Sequence, residues 1–473
     1  MVQRAVIGLD DIDYFEAPPQ MFTLGDSKAR LELGAAESYA SFVLIPLLNF
    51  MVRRRCLLVG LPGRGKTMTA ILMGALVRQA NGERRPIAAV WENIQHGHPQ
   101  MTVSDLLGSP LPADLINARS LEEIHIAWRP WLDMPVKIVD EYNRIPTRTQ
   151  SALLTVMADN YAEVLGKLHR CPKAAWYLTA NDDVGGGTYQ VIEALRDRID
   201  IVVKAPHLNN RFLDDLLERF EQSYEPGEHL PEHLLFTAGE VDEINRAVTA
   251  EVALPPAVRR RIGFFASQLE FCEPAAEQLE YRTKDTVQLA GADVGALLAR
   301  ESGKDRLKDL GTQTKNGVST RALLSLFAFA KALAYFRGQS EVALEDVRVI
   351  LPFVLYDKLT PNLNAAFFDQ PEMAMYRTDR LGWVRKLFDL ACAEYDRLNL
   401  DREDPLAALE AEFALGLEAL PEAEVRRRLA EIERLVGQWG GGRKLYGHVY
   451  DDVLKLKYLH QRYAARLRAL RAE

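Results

Sequence analysis

The sequence predicts an α/β fold in which a parallel sheet carries a phosphate-binding loop, followed by mainly helical regions. Residues 60–67 match the pattern G-x-x-x-x-G-K-[ST], between a short apolar run at 56–59 and an apolar-rich helical pattern at 68–79. Two further apolar runs, at 136–139 and 176–180, are each followed by polar residues that could line the same sheet edge. Much of the second half of the chain repeats apolar residues at helical spacing.

Length and composition describe a folded chain of several domains. The 473 residues are too many for one hydrophobic core, and 48% hydrophobic with 26% charged residues is typical of globular proteins. A net charge of −8 argues against a bulk nucleic-acid scaffold. The four cysteines are far apart and form no C-x-x-C pair, which fits a reducing compartment.

The sequence shows no pattern typical of export or of membrane insertion. The first residues lack the order of a secretory signal, and the longest apolar run, near 41–52, is too short to span a bilayer. We therefore expect a cytoplasmic protein without a membrane partner.

The phosphate-binding loop is the candidate nucleotide site. Its glycines let backbone N–H groups turn toward the β- and γ-phosphates, Lys66 adds a positive charge, and the Thr67 hydroxyl completes a Mg²⁺ shell. The helix that follows places the phosphates at its N-terminus. A chance glycine loop without a ligand is disfavoured, because strand, loop and helix come in the required order. The residues expected to bind ATP and Mg²⁺ here are Gly60, Pro62, Gly63, Gly65, Lys66 and Thr67.

An acidic pair follows the second apolar run. Asp140 is expected to complete the Mg²⁺ shell with Thr67, and Glu141 to polarise the water that attacks the γ-phosphate. The alternative is a strand that ends in a solvated acidic turn. Asn181 ends the third run, so its amide would emerge beside Asp140 and orient the same water. A water-activating glutamate favours hydrolysis over transfer to another acceptor.

An arginine near the next strand is a candidate arginine finger. Arg198 follows a short helical stretch and could stabilise charge in the transition state of a neighbouring subunit, with Arg196 as the reserve candidate. The alternative for Arg198 is a surface ion pair with Asp197 or Asp200.

Five segments together resemble the MoxR group of AAA+ ATPases. Residues 140–154 resemble its D-E-x-N-R-x-P-x-x-T-Q-S-A-L-L signature, and residues 104–108 its S-D-L-x-G segment. Residues 193–198 resemble the E-A-x-x-D-R finger segment, 317–322 the G-x-S-x-R-A sensor 2 element, and 342–348 the V-T-P-x-D-V-R segment that follows. The chain departs from the pattern at two positions: Asp182 replaces the proline after the sensor 1 asparagine, and Leu344 replaces the proline of the last segment.

The resemblance, which covers roughly residues 35–360, implies an AAA+ core with a helical lid. It implies sensor 1 at Asn181, the finger at Arg198, and sensor 2 at Arg321, over the γ-phosphate. It also implies a homo-oligomeric ring, most often a hexamer, that remodels a protein client, with a von Willebrand A-domain partner. A loop or short hairpin at 163–173, with its turn at Gly166, would face the pore of that ring. The alternative for Arg321 is a surface charge on a helix.

Domain boundaries follow from the motifs and the periodicity. We expect an N-terminal segment 1–34, an α/β nucleotide-binding domain 35–207, a linker 208–236, a helical lid 237–360 with an insertion at about 272–317, and a C-terminal helical domain 361–473. Glycines 185–187 are expected to form a hinge loop, and 280–295 is not expected to be helical. Helices are predicted over 149–161, 241–248, 256–269, 321–335, 344–356, 380–398, 421–439 and 449–470.

Other functions are weaker interpretations. His96 and His98 could hold a metal ion, but no third ligand is identifiable, and a loop between the first two sheet strands is expected there. Arginine-rich stretches in the last helices could touch nucleic acid, although nearby acidic residues favour solvated helix faces. An AAA+ motor acting on nucleic acid, as in McrB-type restriction or helicase loading, remains the alternative function, and a non-hydrolytic phosphotransferase is the third.

Overall fold

The fold is described from a computed structural model of the chain. It describes residues 12–15, 20–23, 30–33, 36–181, 191–206, 212–222, 230–276, 280–295, 310–401, 404–440 and 448–471. The hinge predicted at 185–187 lies outside the described residues, as do 296–309 of the predicted insertion. None of the described helices is long and apolar enough to cross a membrane.

Five parallel strands form the central sheet, in the order β13-β5-β12-β9-β6. The other described strands pair as two-stranded antiparallel hairpins or ladders. The strands are β1 (Ile12–Phe15), β2 (Gln20–Thr23), β3 (Arg30–Leu33), β4 (Ala36–Tyr39), β5 (Arg55–Val59), β6 (Gln95–His96), β7 (Gly108–Pro110), β8 (Ile126–Trp128), β9 (Val136–Asp140), β10 (Tyr161–Val164), β11 (Lys167–Arg170), β12 (Ala175–Ala180), β13 (Ile201–Lys204), β14 (Phe271–Ala276) and β15 (Glu280–Thr283).

Helices flank this sheet and make up most of the later chain. They are α1 (Ser41–Val52), α2 (Lys66–Ala75), α3 (Ile87–Trp91), α4 (Val103–Leu107), α5 (Pro112–Asn117), α6 (Thr147–Asp159), α7 (Glu193–Arg198), α8 (Leu213–Glu221), α9 (Ala238–Ala250), α10 (Pro256–Gln268), α11 (Lys284–Leu289), α12 (Thr320–Phe336), α13 (Leu344–Leu355), α14 (Arg380–Arg397), α15 (Pro405–Ala414), α16 (Glu422–Gly440) and α17 (His448–Leu470). The α/β fold with helical regions is therefore confirmed.

The middle of the sheet is buried on both faces, as expected of parallel strands covered by helices. Every residue of β12 is buried, and so are Cys56, Leu57 and Leu58 of β5 and the apolar residues of β9. Burial extends to Lys137 in β9, whose Nζ donates to the Met134 carbonyl at 3.0 Å, and burial lowers the pKa of this lysine to about 8. The carboxyl ends of three adjacent strands therefore form one rigid edge.

A buried carboxylate, that of Asp200, connects the elements at the amino edge of the sheet. Asp200 accepts hydrogen bonds from the Arg55 backbone N–H at 3.0 Å and from the Ser325 hydroxyl at 2.5 Å. The guanidiniums of Arg54 and Arg55 each lie 3.3 Å from its oxygens. Because Ser325 belongs to α12, one carboxylate connects the start of β5, the start of β13 and a helix that lies 120 residues later in the chain.

Strand β1 of the N-terminal segment contacts residues of the predicted lid. The Tyr14 hydroxyl donates to Asp346 Oδ1 at 2.8 Å, and the Arg337 guanidinium lies 3.0 Å from the same oxygen and 3.6 Å from the centre of the Tyr14 ring. The other Asp346 oxygen accepts the Ala343 N–H at 2.8 Å, at the start of α13. Burial raises the pKa of the Tyr14 phenol, and the negative charge of Asp346 raises it further, so the phenol stays neutral.

Two compact units divide the chain: residues 1–254 with 320–357, and residues 255–319 with 358–473. In the second unit α10 packs against α14 through an edge-to-face contact of Phe265 and Phe388, with ring centres 5.4 Å apart. This division differs from the predicted one, which took 237–360 as a single lid and 361–473 as a separate domain. The predicted boundaries remain a prediction based on motifs.

The hairpin predicted near 163–173 is confirmed as β10 and β11. Its two-residue turn has Leu165 at φ 51° and Gly166 at φ 74°, the left-handed conformations of a tight hairpin turn. Glycine adopts this conformation at little cost, whereas leucine does so with strain.

Two local predictions are wrong. His96 is not in a loop but in edge strand β6, because its backbone pairs with Asp140 of β9. Residues 284–289, expected to be non-helical, form α11, which is capped by the Thr283 side chain. The helix predicted over 68–79 begins and ends earlier, at Lys66–Ala75.

We predict that Asp200→Ala destabilises the first compact unit by about 3 kcal/mol, because it leaves the half-buried guanidiniums of Arg54 and Arg55 without their buried carboxylate. Ser325→Ala removes a single hydrogen bond and should cost about 1 kcal/mol. Urea unfolding followed by circular dichroism measures both, with Glu243→Ala, an exposed acidic residue of α9, as the control. Equal midpoints for Asp200→Ala and the control would contradict the role of this carboxylate.

Candidate active site

The phosphate-binding loop joins the carboxyl end of β5 to the start of α2. Gly63 and Gly65 have φ angles of 73° and 76°, in the left-handed region that favours glycine. A side chain added at either position would meet no atom within 4 Å, so these glycines are required by backbone conformation and not by crowding. The loop therefore bends back over the helix N-terminus, where free N–H groups favour an anion.

Lys66 is buried at the first turn of α2. Its Nζ donates to the carbonyl oxygens of Gly60 at 2.7 Å and Leu61 at 2.8 Å, so the ammonium lies inside the loop. A phosphate oxygen is a stronger acceptor for an ammonium than a carbonyl oxygen. The side chain is thus held where it can contact the β- and γ-phosphates of a bound nucleotide.

One carboxylate oxygen joins three elements of the site. Asp140 Oδ1 accepts the Thr67 hydroxyl at 2.8 Å and the Thr179 hydroxyl at 2.5 Å. The Thr179 Oγ1 in turn accepts the backbone N–H of Glu141 at 2.9 Å. Hydrogen bonds to this one oxygen therefore connect the first turn of α2, β9 and β12. Thr179 was missed by sequence reasoning, although it stands two residues before the predicted Asn181.

Glu141 is held in a strained backbone conformation with its carboxylate engaged on both sides. Its φ is 51°, a left-handed value that costs a residue with a side chain about 1–2 kcal/mol. Oε1 accepts from Asn181 Nδ2 at 2.9 Å, and Oε2 lies 3.2 Å from the Arg144 guanidinium. A carboxylate has further lone pairs for a water molecule. The structure therefore brings Glu141 and Asn181 together as a unit, and adds Arg144.

The arginines predicted as finger and sensor 2 lie near the amino edge of the sheet. Arg198 ends α7, and its guanidinium donates to the Ala194 carbonyl at 3.2 Å, whereas Arg196 is exposed. The Arg321 guanidinium contacts the Asp197 carboxylate, directly before Arg198. The structure thus brings Arg321 to α7 of its own chain. The alternative of an Arg198 ion pair gains no support, because Asp197 contacts Arg321 and Asp200 is held by Arg54 and Arg55.

The donor set fits Mg²⁺. A hydroxyl and a carboxylate, Thr67 and Asp140, meet at 2.8 Å, and oxygen ligands of this kind together with phosphate oxygens are what Mg²⁺ prefers. His96 Nδ1 lies 3.4 Å from Asp140 Oδ2, on the edge strand. Within the residues that the structure describes, no cluster of three or more His, Cys, Asp or Glu side chains could hold a metal ion, so the histidine metal site gains no support.

Comparison with known proteins identifies the family. The model of the AAA family of ATPases associated with various cellular activities matches residues 55–201, and the AAA lid domain model matches residues 309–375. Protein MoxR of Paracoccus denitrificans is 25% identical over 350 residues, which is 71% of this chain and 87% of that protein. Chaperone MoxR1 of Mycobacterium tuberculosis is 23% identical over 334 residues, 70% of this chain and 74% of that protein. These matches support a MoxR-type AAA+ ATPase.

A solved structure agrees with the fold of this MoxR-type ATPase. A protein of Cytophaga hutchinsonii superposes with a TM-score of 0.50 at 18% identity, over 72% of this chain and 88% of that one. At this identity the likeness concerns the fold alone. The matched AAA region includes the phosphate-binding loop, Asp140, Glu141, Asn181 and Arg198, and the matched lid region includes Arg321.

We predict that Thr179→Val lowers the ATPase rate constant kcat about tenfold to a hundredfold, because the Glu141 backbone and the Asp140 oxygen both lose their shared hydroxyl. The apparent Mg²⁺ requirement should rise at the same time, since Asp140 is no longer oriented. Phosphate release at a series of Mg²⁺ concentrations measures both effects.

Thr179→Ser keeps the hydroxyl and is the matched control, with activity near that of the wild type. If valine and serine at this position give the same kcat and the same Mg²⁺ dependence, the hydroxyl does not position the site.

Proposed function

We propose that this ATPase assembles into a ring, hydrolyses ATP at the interfaces between subunits, and uses the energy to remodel a protein client. The observation that carries this proposal is the arrangement of the site. The phosphate-binding loop, Asp140 and Glu141 lie at the carboxyl edge of the sheet, while Arg198 lies before β13 at the amino edge. Because the two groups lie at opposite edges, the amino edge of one copy can face the carboxyl edge of the next and supply Arg198 to its nucleotide.

The chemistry of the proposed reaction follows from the contacts. Lys66 and the loop N–H groups would hold the β- and γ-phosphates, and Thr67 with Asp140 would hold Mg²⁺, which neutralises phosphate charge when bound. Glu141 would accept a proton from the attacking water, and Asn181 would orient that water. Because Asn181 Nδ2 donates to Glu141 Oε1 at 2.9 Å, the two groups have a fixed geometry before any substrate enters.

Arg198 would stabilise the charge that develops on the γ-phosphate of the neighbouring subunit. The contact of Arg321 with Asp197 suggests how the proposed sensor 2 residue could influence this finger: a shift of α12 would move α7 with it. Arg196, exposed on the same helix, is the reserve candidate for the finger.

A protein client is favoured over nucleic acid. The net charge of −8 disfavours a phosphate backbone as the main partner, and MoxR1 of Mycobacterium tuberculosis is called a chaperone. A hexameric ring and a von Willebrand A-domain partner remain proposals that rest on the family resemblance. The arginine-rich face of α16 does not favour the nucleic-acid alternative, because Arg426, Arg427 and Arg428 all pair with glutamates.

We predict that Lys66→Ala abolishes ATP binding, whereas Glu141→Gln binds ATP but loses at least about a hundredfold in turnover. The first change removes the cation inside the loop, and the second removes only the proton acceptor, since glutamine is nearly isosteric. Isothermal titration calorimetry measures binding, and a phosphate-release assay measures turnover. Arg462→Glu, on an exposed face of α17, is a control for general charge effects. Near-normal hydrolysis by Glu141→Gln would show that another group activates the water.

A further inference from the structure

The acidic helix α8 (Leu213–Glu221) presents apolar side chains to solvent. Every residue of this helix is exposed. Leu213, Leu216, Leu217 and Phe220 follow the spacing i, i+3, i+4, i+7 and so form one stripe, in which Phe220 is 80% exposed. An apolar stripe of this kind on a soluble protein indicates a surface that another element covers.

Carboxylates run along one flank of this stripe. Asp214, Glu218 and Glu221 stand at i, i+4 and i+7 of α8, so they share a face beside the apolar residues. Asp215 adds a further negative charge, and Arg219 is the helix's one basic residue. The surface that would cover α8 therefore needs both apolar contacts and positive charge.

The same compact unit carries a surface with these properties. A cleft of about 450 Å³ lies at the amino edge of the sheet. Its polar lining includes five cationic side chains, and the two carboxylates that contact them, Asp200 and Asp242, leave it net positive. These cations, which with their surroundings we call the cationic cleft, are Arg53, Arg54, Arg55, Lys173 and Lys331.

Apolar groups complete the cationic cleft. Leu324 is 53% exposed and Phe327 is half-buried, one turn apart on α12, and both line the opening. An apolar ridge beside cations is the counterpart of an apolar stripe beside carboxylates. The charges and the apolar areas of the two surfaces therefore complement each other.

The proposed ring brings these two surfaces toward each other. Arg198 and the cationic cleft both lie at the amino edge of the sheet, since Asp200 N–H bonds the Arg55 carbonyl at 2.9 Å there. The phosphate-binding loop lies at the carboxyl edge, where β13 also ends, and α8 is the next described helix after β13 in the chain. If Arg198 reaches a neighbour's nucleotide, the amino edge of one copy faces the carboxyl edge of the next. A ring of this head-to-tail kind needs two different, complementary surfaces on each subunit.

We propose that α8 of one subunit docks on the cationic cleft of the next copy of this chain. The inference rests on the proposed ring and names the surfaces that close it. A small anion is a less suitable occupant of the cleft, because its cations already have partners: Arg53 lies 2.6 Å from Asp242, and Lys331 Nζ donates to the Thr249 carbonyl at 2.8 Å. A broad charged helix can add to such contacts without displacing them.

Charge reversal tests the docking. The helix variant is Asp214→Lys with Glu218→Lys, and the cleft variant is Lys173→Glu with Lys331→Glu. A third protein carries all four changes. Mass photometry with Mg²⁺ and ATP gives the protein concentration at which half of the subunits are in rings. Calorimetry with ATP and circular dichroism show that each variant is folded and binds nucleotide.

Each variant alone should raise the half-assembly concentration about tenfold or more, because like charges then face each other. The fourfold variant should return it close to the wild-type value, since the signs are again opposite. Glu372→Lys and Arg462→Glu change charge on exposed positions elsewhere and should have no effect.

Rings that form normally in both variants, or a fourfold variant no better than either, would overturn the docking while leaving the ring in place. A wild-type protein that stays monomeric at every concentration would overturn the ring itself, and the docking with it.

Discussion

A single carboxylate oxygen organises the site: Asp140 Oδ1 accepts the hydroxyls of Thr67 and Thr179 at 2.8 Å and 2.5 Å. These contacts join the phosphate-binding loop to two neighbouring strands, because the sheet order puts β12 between β5 and β9. The Thr179 oxygen then fixes the Glu141 backbone, and Asn181 fixes its carboxylate. The proposed positions of nucleotide, metal and water therefore share one edge of one parallel sheet, as in other sheets that bind ligands at the carboxyl ends of their strands.

The opposite edge depends on a second carboxylate. Asp200 is fully buried and holds Arg54, Arg55 and Ser325. It therefore connects the start of β13, directly after α7, to the start of β5 and to α12. The contact of Arg321 with Asp197 adds a second connection, between α12 and α7. The proposed contribution of Arg198 to a neighbouring subunit thus depends on an edge of the sheet that hydrogen bonds and ion pairs connect to α12.

Much of this could be predicted because it is local in sequence. The loop pattern, the apolar runs and the helical periodicity predicted β5, β9, β12 and most helices to within a few residues. The rest depends on contacts between distant residues. Nothing near Thr179 indicates that its hydroxyl reaches Asp140, and nothing near Tyr14 indicates a bond to Asp346, 332 residues later. His96 was misassigned because a two-residue edge strand forms only when its neighbour, β9, is present.

In the proposed ring, each nucleotide is hydrolysed with an arginine from another copy of the chain. Mixing two inactive variants tests it most directly. Lys66→Ala subunits cannot bind ATP but keep Arg198, and Arg198→Ala subunits bind ATP but lack the finger. In mixed rings a Lys66→Ala subunit supplies its arginine to an Arg198→Ala neighbour, so phosphate release should rise well above the sum of the separate proteins. Mixed rings, verified by mass, that release no more phosphate than that sum would show that Arg198 does not act on a neighbouring subunit's nucleotide.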